Sequence, residues 1–116
     1  MQYLLLIYSN EADDPQPGTP AFDEMIAGFE AFDKALEAKD AMRGGNALKP
    51  VSTATTVKVR NGKTVTTDGP FAETKEVLGG YYVIEADNLD TALEFAAKIP
   101  CVTWGSVEVR PIMTYD

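Results

Sequence analysis

The chain opens on an unbroken apolar run, Gln2 to Tyr8, rich in β-formers. A run with no polar alternation predicts a central strand buried on both faces. Asn10 to Gly18 carries Asp13, Asp14, Pro15, Pro17 and Gly18 and predicts a loop. The period then changes. Phe22, Met25, Ile26, Phe29, Phe32 and Leu36 follow helical spacing and make one apolar face. Thr19 is suited to cap this helix, Pro20 to its first position, and Asp23 and Glu24 to the positive end of its dipole. The pattern fades near Lys39-Asp40. Met42 to Leu48 predicts a short strand in which Gly44-Gly45 marks a bulge or a close backbone approach.

The clearest local signal follows. Thr53 to Arg60 alternates, Asn61-Gly62 interrupts, and Lys63 to Thr67 alternates again. Asn-Gly between two such runs predicts a type I′ hairpin, with Val57, Val59 and Val65 facing inward and Lys58, Arg60 and Thr64 facing water. Val77 to Ala86 predicts another strand, with close approach at Gly79-Gly80. Asp87-Asn88 caps a second helix running from Leu89 to about Ile99, with an inner stripe of Leu89, Ala92, Leu93, Ala96 and Ile99 before Pro100 stops it. Ser106 to Met113 predicts the last strand.

With the hairpin set aside, the order is strand, helix, strand, strand, helix, strand. That is the βαββαβ pattern of a ferredoxin-like α+β fold with an inserted β-hairpin. Helices cover one sheet face. The other face needs a cover as well, either the hairpin folded across it or a second copy of the chain; the latter makes a C2 homodimer. At 116 residues, with no internal linker, positions 1–116 make a single domain.

Composition removes several kinds of function. Ten basic against eighteen acidic residues leave a net charge of −8, which argues against nucleic acid and against an anionic membrane surface. The chain has no histidine, so imidazole acid–base chemistry, a Ser-His-Asp triad and ordinary zinc sites are excluded. Cys101 is the single cysteine, so no internal disulfide forms, as suits a reducing cytoplasm; it is read as a core or semi-exposed side chain. There is no signal peptide at the start and no run long enough to span a membrane, so a cytoplasmic protein is expected.

The candidate chemistry lies between the hairpin and the next strand. Thr67 to Glu76 fits neither strand nor helix, and it holds Asp68, Glu73, Lys75 and Glu76. Asp68-Gly69-Pro70 forces a turn, because Gly69 accepts positive φ and Pro70 fixes its own. Two readings of this loop stay open. In the first, Asp68 is catalytic. It sits at the mouth of a cleft, raised in pKa by Phe71 and Tyr81, and accepts or holds a proton. Gly69, Pro70 and Phe71 shape the substrate site, Lys75 binds an anionic group, Glu76 orients Lys75, and Tyr81 or Tyr82 donates a hydrogen bond. In the second, Asp68 bonds the amides of its own turn, Phe71 plugs the core, and Lys75 pairs with Glu73 or Glu76. Arg110 is a further candidate, buried and bidentate to a substrate carboxylate, or paired with an internal acid or with the dimer partner. Asp68, Glu73 and Glu76 match no known cation-binding loop, so no metal is expected, and no cofactor.

Asp68-Gly69-Pro70-Phe71, continued as Ala72 to Glu76 and then Leu78-Gly79-Gly80-Tyr81-Tyr82, resembles the DGPF branch of the YCII-related proteins. Tyr3 to Tyr8, Ala54 to Val57 with the Asn-Gly turn, Asp90 to Pro100, and Gly105 to Pro111 agree with it. The resemblance covers nearly the whole chain and is weakest from Glu11 to Lys39. It implies a small ferredoxin-like domain of the dimeric α+β barrel type, similar to muconolactone isomerases and small cofactor-independent monooxygenases, with a cleft in each subunit. Most relatives have no assigned reaction. Some are similar to an enzyme that removes chloride from a chlorinated aromatic through a His–Asp pair, which a chain without histidine cannot reproduce. Family genes often lie beside those for extracytoplasmic-function sigma factors, implying a regulatory association. Asn46 stands where an acidic residue is common. Two functional classes follow: a small cofactor-independent enzyme acting on an organic molecule around Asp68, or a non-enzymatic metabolite- or protein-binding module, with a sigma-factor-related protein as a possible partner.

Overall fold

The computed structural model describes residues 1–115. Four strands form one antiparallel sheet in the order β2-β5-β1-β6: β1 (Gln2–Ser9), β2 (Met42–Ala47), β5 (Val77–Glu85) and β6 (Ser106–Pro111). Helices α1 (Pro20–Ala38) and α2 (Leu89–Ala96) pack on one face. β3 (Thr55–Arg60) and β4 (Lys63–Asp68) form a separate two-stranded ribbon. The molecule is α+β, and the sheet stays open rather than closing into a barrel.

Local signals place the elements. The Thr19 hydroxyl accepts from the Phe22 amide at 3.2 Å with Pro20 at the first helical position, and the Asn88 side chain accepts from the Thr91 amide at 2.9 Å. Asn61 and Gly62 take φ of 53° and 75°, the paired left-handed values of a type I′ turn. β1 is central, between β5 and β6, and alternates: Tyr3, Leu5, Ile7 and Ser9 are buried beneath the helices, whereas Leu4, Leu6 and Tyr8 are half-buried on the opposite face. The expected burial on both sides is therefore met on one.

The core joins Leu5, Phe32, Leu36, Ile84 and Ile99, all fully buried and each worth about 1.5–3 kcal/mol of transfer free energy. α2 is shorter than its sequence pattern, ending at Ala96, and its inner face differs. Phe95 is buried, while Leu89 and Leu93 are exposed. The sheet meets the helix at Ala92, Phe95 and Ala96, and Ile99 follows in a tight turn. Each glycine pair has one crowded member. A Cβ on Gly45 would sit 2.8 Å from the Tyr81 carbonyl oxygen, and one on Gly80 3.1 Å from that of Asn46, so β2 and β5 run too close for a side chain there. The β1–β5 register shifts where Gly79 is passed over.

The hairpin forms, but its valines do not face inward. Val57, Val59 and Val65 are 62%, 60% and 47% exposed. Nor do they share a face. Arg60 pairs with Lys63, so Val57 and Val59 lie opposite Thr66 and Thr64, while Val65 lies opposite Lys58 on the other side. The ribbon does not fold back over its own sheet.

Candidate functional site

Three groups of functional side chains are held at separate places. The first surrounds the loop from Gly69 to Glu76. β4 ends at Asp68, Gly69 turns at φ 100°, and its amide donates to the Ala54 carbonyl at 2.6 Å. The Thr56 hydroxyl donates to the Gly69 carbonyl at 2.8 Å, and the Thr74 hydroxyl to the Glu76 carbonyl at 2.5 Å. These bonds hold both ends of the loop. A tight turn at Val51–Thr53 faces it, and the Val51 amide donates to Glu11 Oε2 at 3.0 Å. Between them lies a cleft of about 570 Å³. Its walls are mainly apolar, with Tyr8, Leu48, Val51, Pro70, Phe71 and Leu78 prominent, and its ionisable residues besides Tyr8 are Lys49 and Glu76.

Of the residues expected here, Pro70, Phe71 and Glu76 line the cleft, while Asp68, Gly69 and Lys75 stand just outside it. Asp68 is exposed at the end of β4, paired across the ribbon with Thr55, and the apolar enclosure expected around it is missing from a single chain. The Asx bond expected in the bland reading is not formed either; among the described residues the Asp68 carboxylate has no hydrogen-bond partner. Phe71 is 82% exposed, so it does not plug the core; the loop leaves it at the rim of the cleft. The expected pairing of Lys75 with Glu73 or Glu76 is absent among the described residues. Lys49, to which the sequence assigns no part in a site, lines the cleft. Its position after Leu48, whose amide bonds Gly79 at 2.9 Å, comes from the sheet pairing and has no local signal.

The second group lies on the open sheet face. Asn46 Nδ2 donates to the Tyr81 hydroxyl at 2.9 Å. Arg110 is exposed rather than buried, and it donates to Glu108 two residues before it. Of the alternatives for Arg110, pairing with an internal acid is present within the single chain. Neither Tyr81 nor Arg110 reaches the cleft. Strand parity puts them on the face away from the helices, with Leu4, Leu6 and the cleft residue Tyr8, but they are not among the residues that line the cleft.

The third group is on the helix side, where sequence reasoning placed no site. The Tyr82 hydroxyl donates to Asp33 Oδ1 at 2.8 Å, and its ring meets Phe32 edge-on at 4.9 Å. Burial, reinforced by the Asp33 hydrogen bond, pushes the Tyr82 phenol well above its ordinary value. Burial also pushes the nearby Cys101 thiol up to about 11, with Asp14 adding to the effect. Trp104 Nε1 donates to Asp14 Oδ1 at 3.0 Å and ties the loop before α1 to the turn before β6. Tyr82 is thereby spoken for as a structural group.

Among the described residues no cluster of three Cys, Asp or Glu side chains could hold a metal ion. Among the described residues no helix is long and apolar enough to cross a membrane.

The sequence profile of the YCII-related domain matches residues 1–116. The chain is also 32% identical over 117 residues to an uncharacterized protein of Rhizobium meliloti (strain 1021), covering 99% of this chain and 94% of that one. Profile, relative and the Asp68-Gly69-Pro70-Phe71 turn agree, and the chain belongs to the YCII-related domain family.

Proposed function

We propose that this YCII-related protein binds a small, largely apolar organic molecule in the cleft beside the Gly69–Glu76 loop and acts on it without a cofactor. The observation that carries the reading is the cleft itself: about 570 Å³, within the range of small-molecule sites, apolar-walled, with few ionisable groups. In this reading Lys49 takes an anionic group of the ligand. Glu76 moves the proton, in the place first given to Asp68, because Glu76 is in the cleft wall and Asp68 is not. Gly69, Pro70 and Phe71 shape the rim. Tyr81 and Arg110 share the open sheet face with Tyr8 but do not line the cleft. The sheet order supports a ferredoxin-like arrangement with an inserted hairpin. Leu4, Leu6 and Val83 on the open face support a homodimer of the α+β barrel type, in which a second copy covers that face.

A second reading, a non-enzymatic metabolite- or protein-binding module, is favoured by Phe71, an aromatic 82% exposed at the cleft rim where a protein partner such as a sigma-factor-related protein would bury it. Thermal unfolding across a panel of small acids, aromatics and chlorinated aromatics separates the two. A true ligand at about 100 times its Kd raises stability by roughly 2.7 kcal/mol. Glu76→Gln then keeps binding and loses turnover if the protein is an enzyme. It loses nothing, or binding alone, if the protein is a module. A panel without a shift counts against the small-molecule reading and turns the search to a protein partner.

A further inference from the structure

The β3–β4 ribbon is the part of the chain that makes least sense in a single copy. All its positions but Thr56 are exposed. The molecule is also wide for its length: the radius of gyration is 16.2 Å, against about 13.4 Å for a compact chain of this length. The solvent-accessible surface is 8043 Å², where a monomer of 12.6 kDa should present about 6200 Å². The excess, about 1800 Å² per chain, corresponds to about 3600 Å² for a pair, which falls within the span of obligate homodimer interfaces.

The two ribbon faces differ. One carries Val57 and Val59 with Thr55, Thr64 and Thr66, and it has no charge before Asp68 at its base. The other carries Lys58, Arg60 and Lys63. From Thr55 to Thr67 there are three basic residues and no acidic one, so the rest of the chain holds eighteen acidic residues against seven basic. With the valine face turned to another copy these cations line the outer side of the ribbon, and the face left uncharged from Thr55 to Thr66 is the one suited to an apolar sheet face. Reach also fits. Six residues of strand span roughly 20 Å, enough to cross a four-stranded sheet with strands about 4.8 Å apart.

We propose that the ribbon is an arm that packs its Val57–Val59 face on the open sheet face of a second copy of this chain, against Leu4, Leu6 and Val83 of that copy. The inference rests on the homodimer reading and names what makes the interface. The base of the same ribbon places Thr56 in the cleft wall, so docking the arm also steadies one side of the site.

The test is sedimentation of the wild-type chain and of Val57→Asp/Val59→Asp through the micromolar range. Both valines already face water in one copy, so the substitution leaves the single-chain fold alone. The expected result is a wild-type dimer and a variant with unchanged circular dichroism whose dimer affinity falls roughly a hundredfold or more. A wild-type monomer overturns the homodimer reading and the arm together. A dimer that survives the substitution at full affinity overturns the arm and leaves the homodimer standing. Hydrogen exchange on the wild type gives a check free of mutation. The ribbon amides should slow as concentration rises through the dimer Kd, and no change would contradict the proposal.

Discussion

Tyr82→Phe isolates one half-buried polar contact on the helix side of the sheet. The ring stays, with its edge-on contact to Phe32 at 4.9 Å, and only the hydroxyl that donates to Asp33 at 2.8 Å is lost. A hydrogen bond to a charged acceptor contributes about 1.5–3 kcal/mol, and the orphaned carboxylate must find water instead. Asp33 is half-buried, so it recovers part of that loss, and about 1–2 kcal/mol remains. At about 4 °C per kcal/mol for a domain of this size, the melting temperature should fall by roughly 4–8 °C. The pH dependence makes the assay specific. The phenol is raised in the folded chain above its ordinary 10.0, so below about pH 10 both states hold the proton and the contribution is complete. Above that, the unfolded state ionises first, and the contribution is lost as pH rises toward the folded value. Urea unfolding of the two proteins should therefore show a constant stability gap from about pH 7 to 9 that narrows above about pH 10. Equal stability at neutral pH, or a gap that does not change through the alkaline range, would refute the assignment of Tyr82 as a burial-raised donor to Asp33.

Gly105→Ala should destabilise by several kcal/mol, because its Cβ would run into the Tyr8 backbone carbonyl as well as Ser9 and the Cys101 carbonyl, and backbone cannot move aside cheaply; chemical denaturation measures it, and a loss under about 1 kcal/mol would show that the turn before β6 relaxes. Cys101, 7% exposed and with its thiol raised to about 11, should react slowly with a disulfide reagent at pH 8 while folded and quickly in denaturant, and fast labelling of the native protein would contradict its burial.

Much of the site's framing can be read from local sequence. Asn61-Gly62 dictates its own turn, and Asp68-Gly69-Pro70 dictates the bend into the loop, because both depend on φ values that few residues tolerate. The split of the three valines between ribbon faces is also implied by the sequence, once Arg60 is placed opposite Lys63 across a two-residue turn. Which carboxylate enters the cleft is a different kind of fact. Asp68 and Glu76 bound one charged loop, and only the meeting of that loop with the Val51–Thr53 turn and the end of β1 puts Glu76 inside and Asp68 out. Tyr81 and Tyr82 are neighbours of similar chemistry, and the sheet assigns one to the open face with Asn46 and the other to Asp33.

Family membership, helix caps, hairpin turn and the absence of histidine chemistry were determined by the sequence alone, since each rests on residues close along the chain or on composition. Tertiary structure decided what lies against what. Period-2 and period-3.6 patterns say which residues share a face, but they do not say whether that face meets the core, a cleft or water. The buried Phe95 follows from how β1, β5 and the helices close around Leu5, Phe32 and Ile84, whereas Val57, Val59 and Phe71 lie outside that core; its closure depends on contacts distant in sequence.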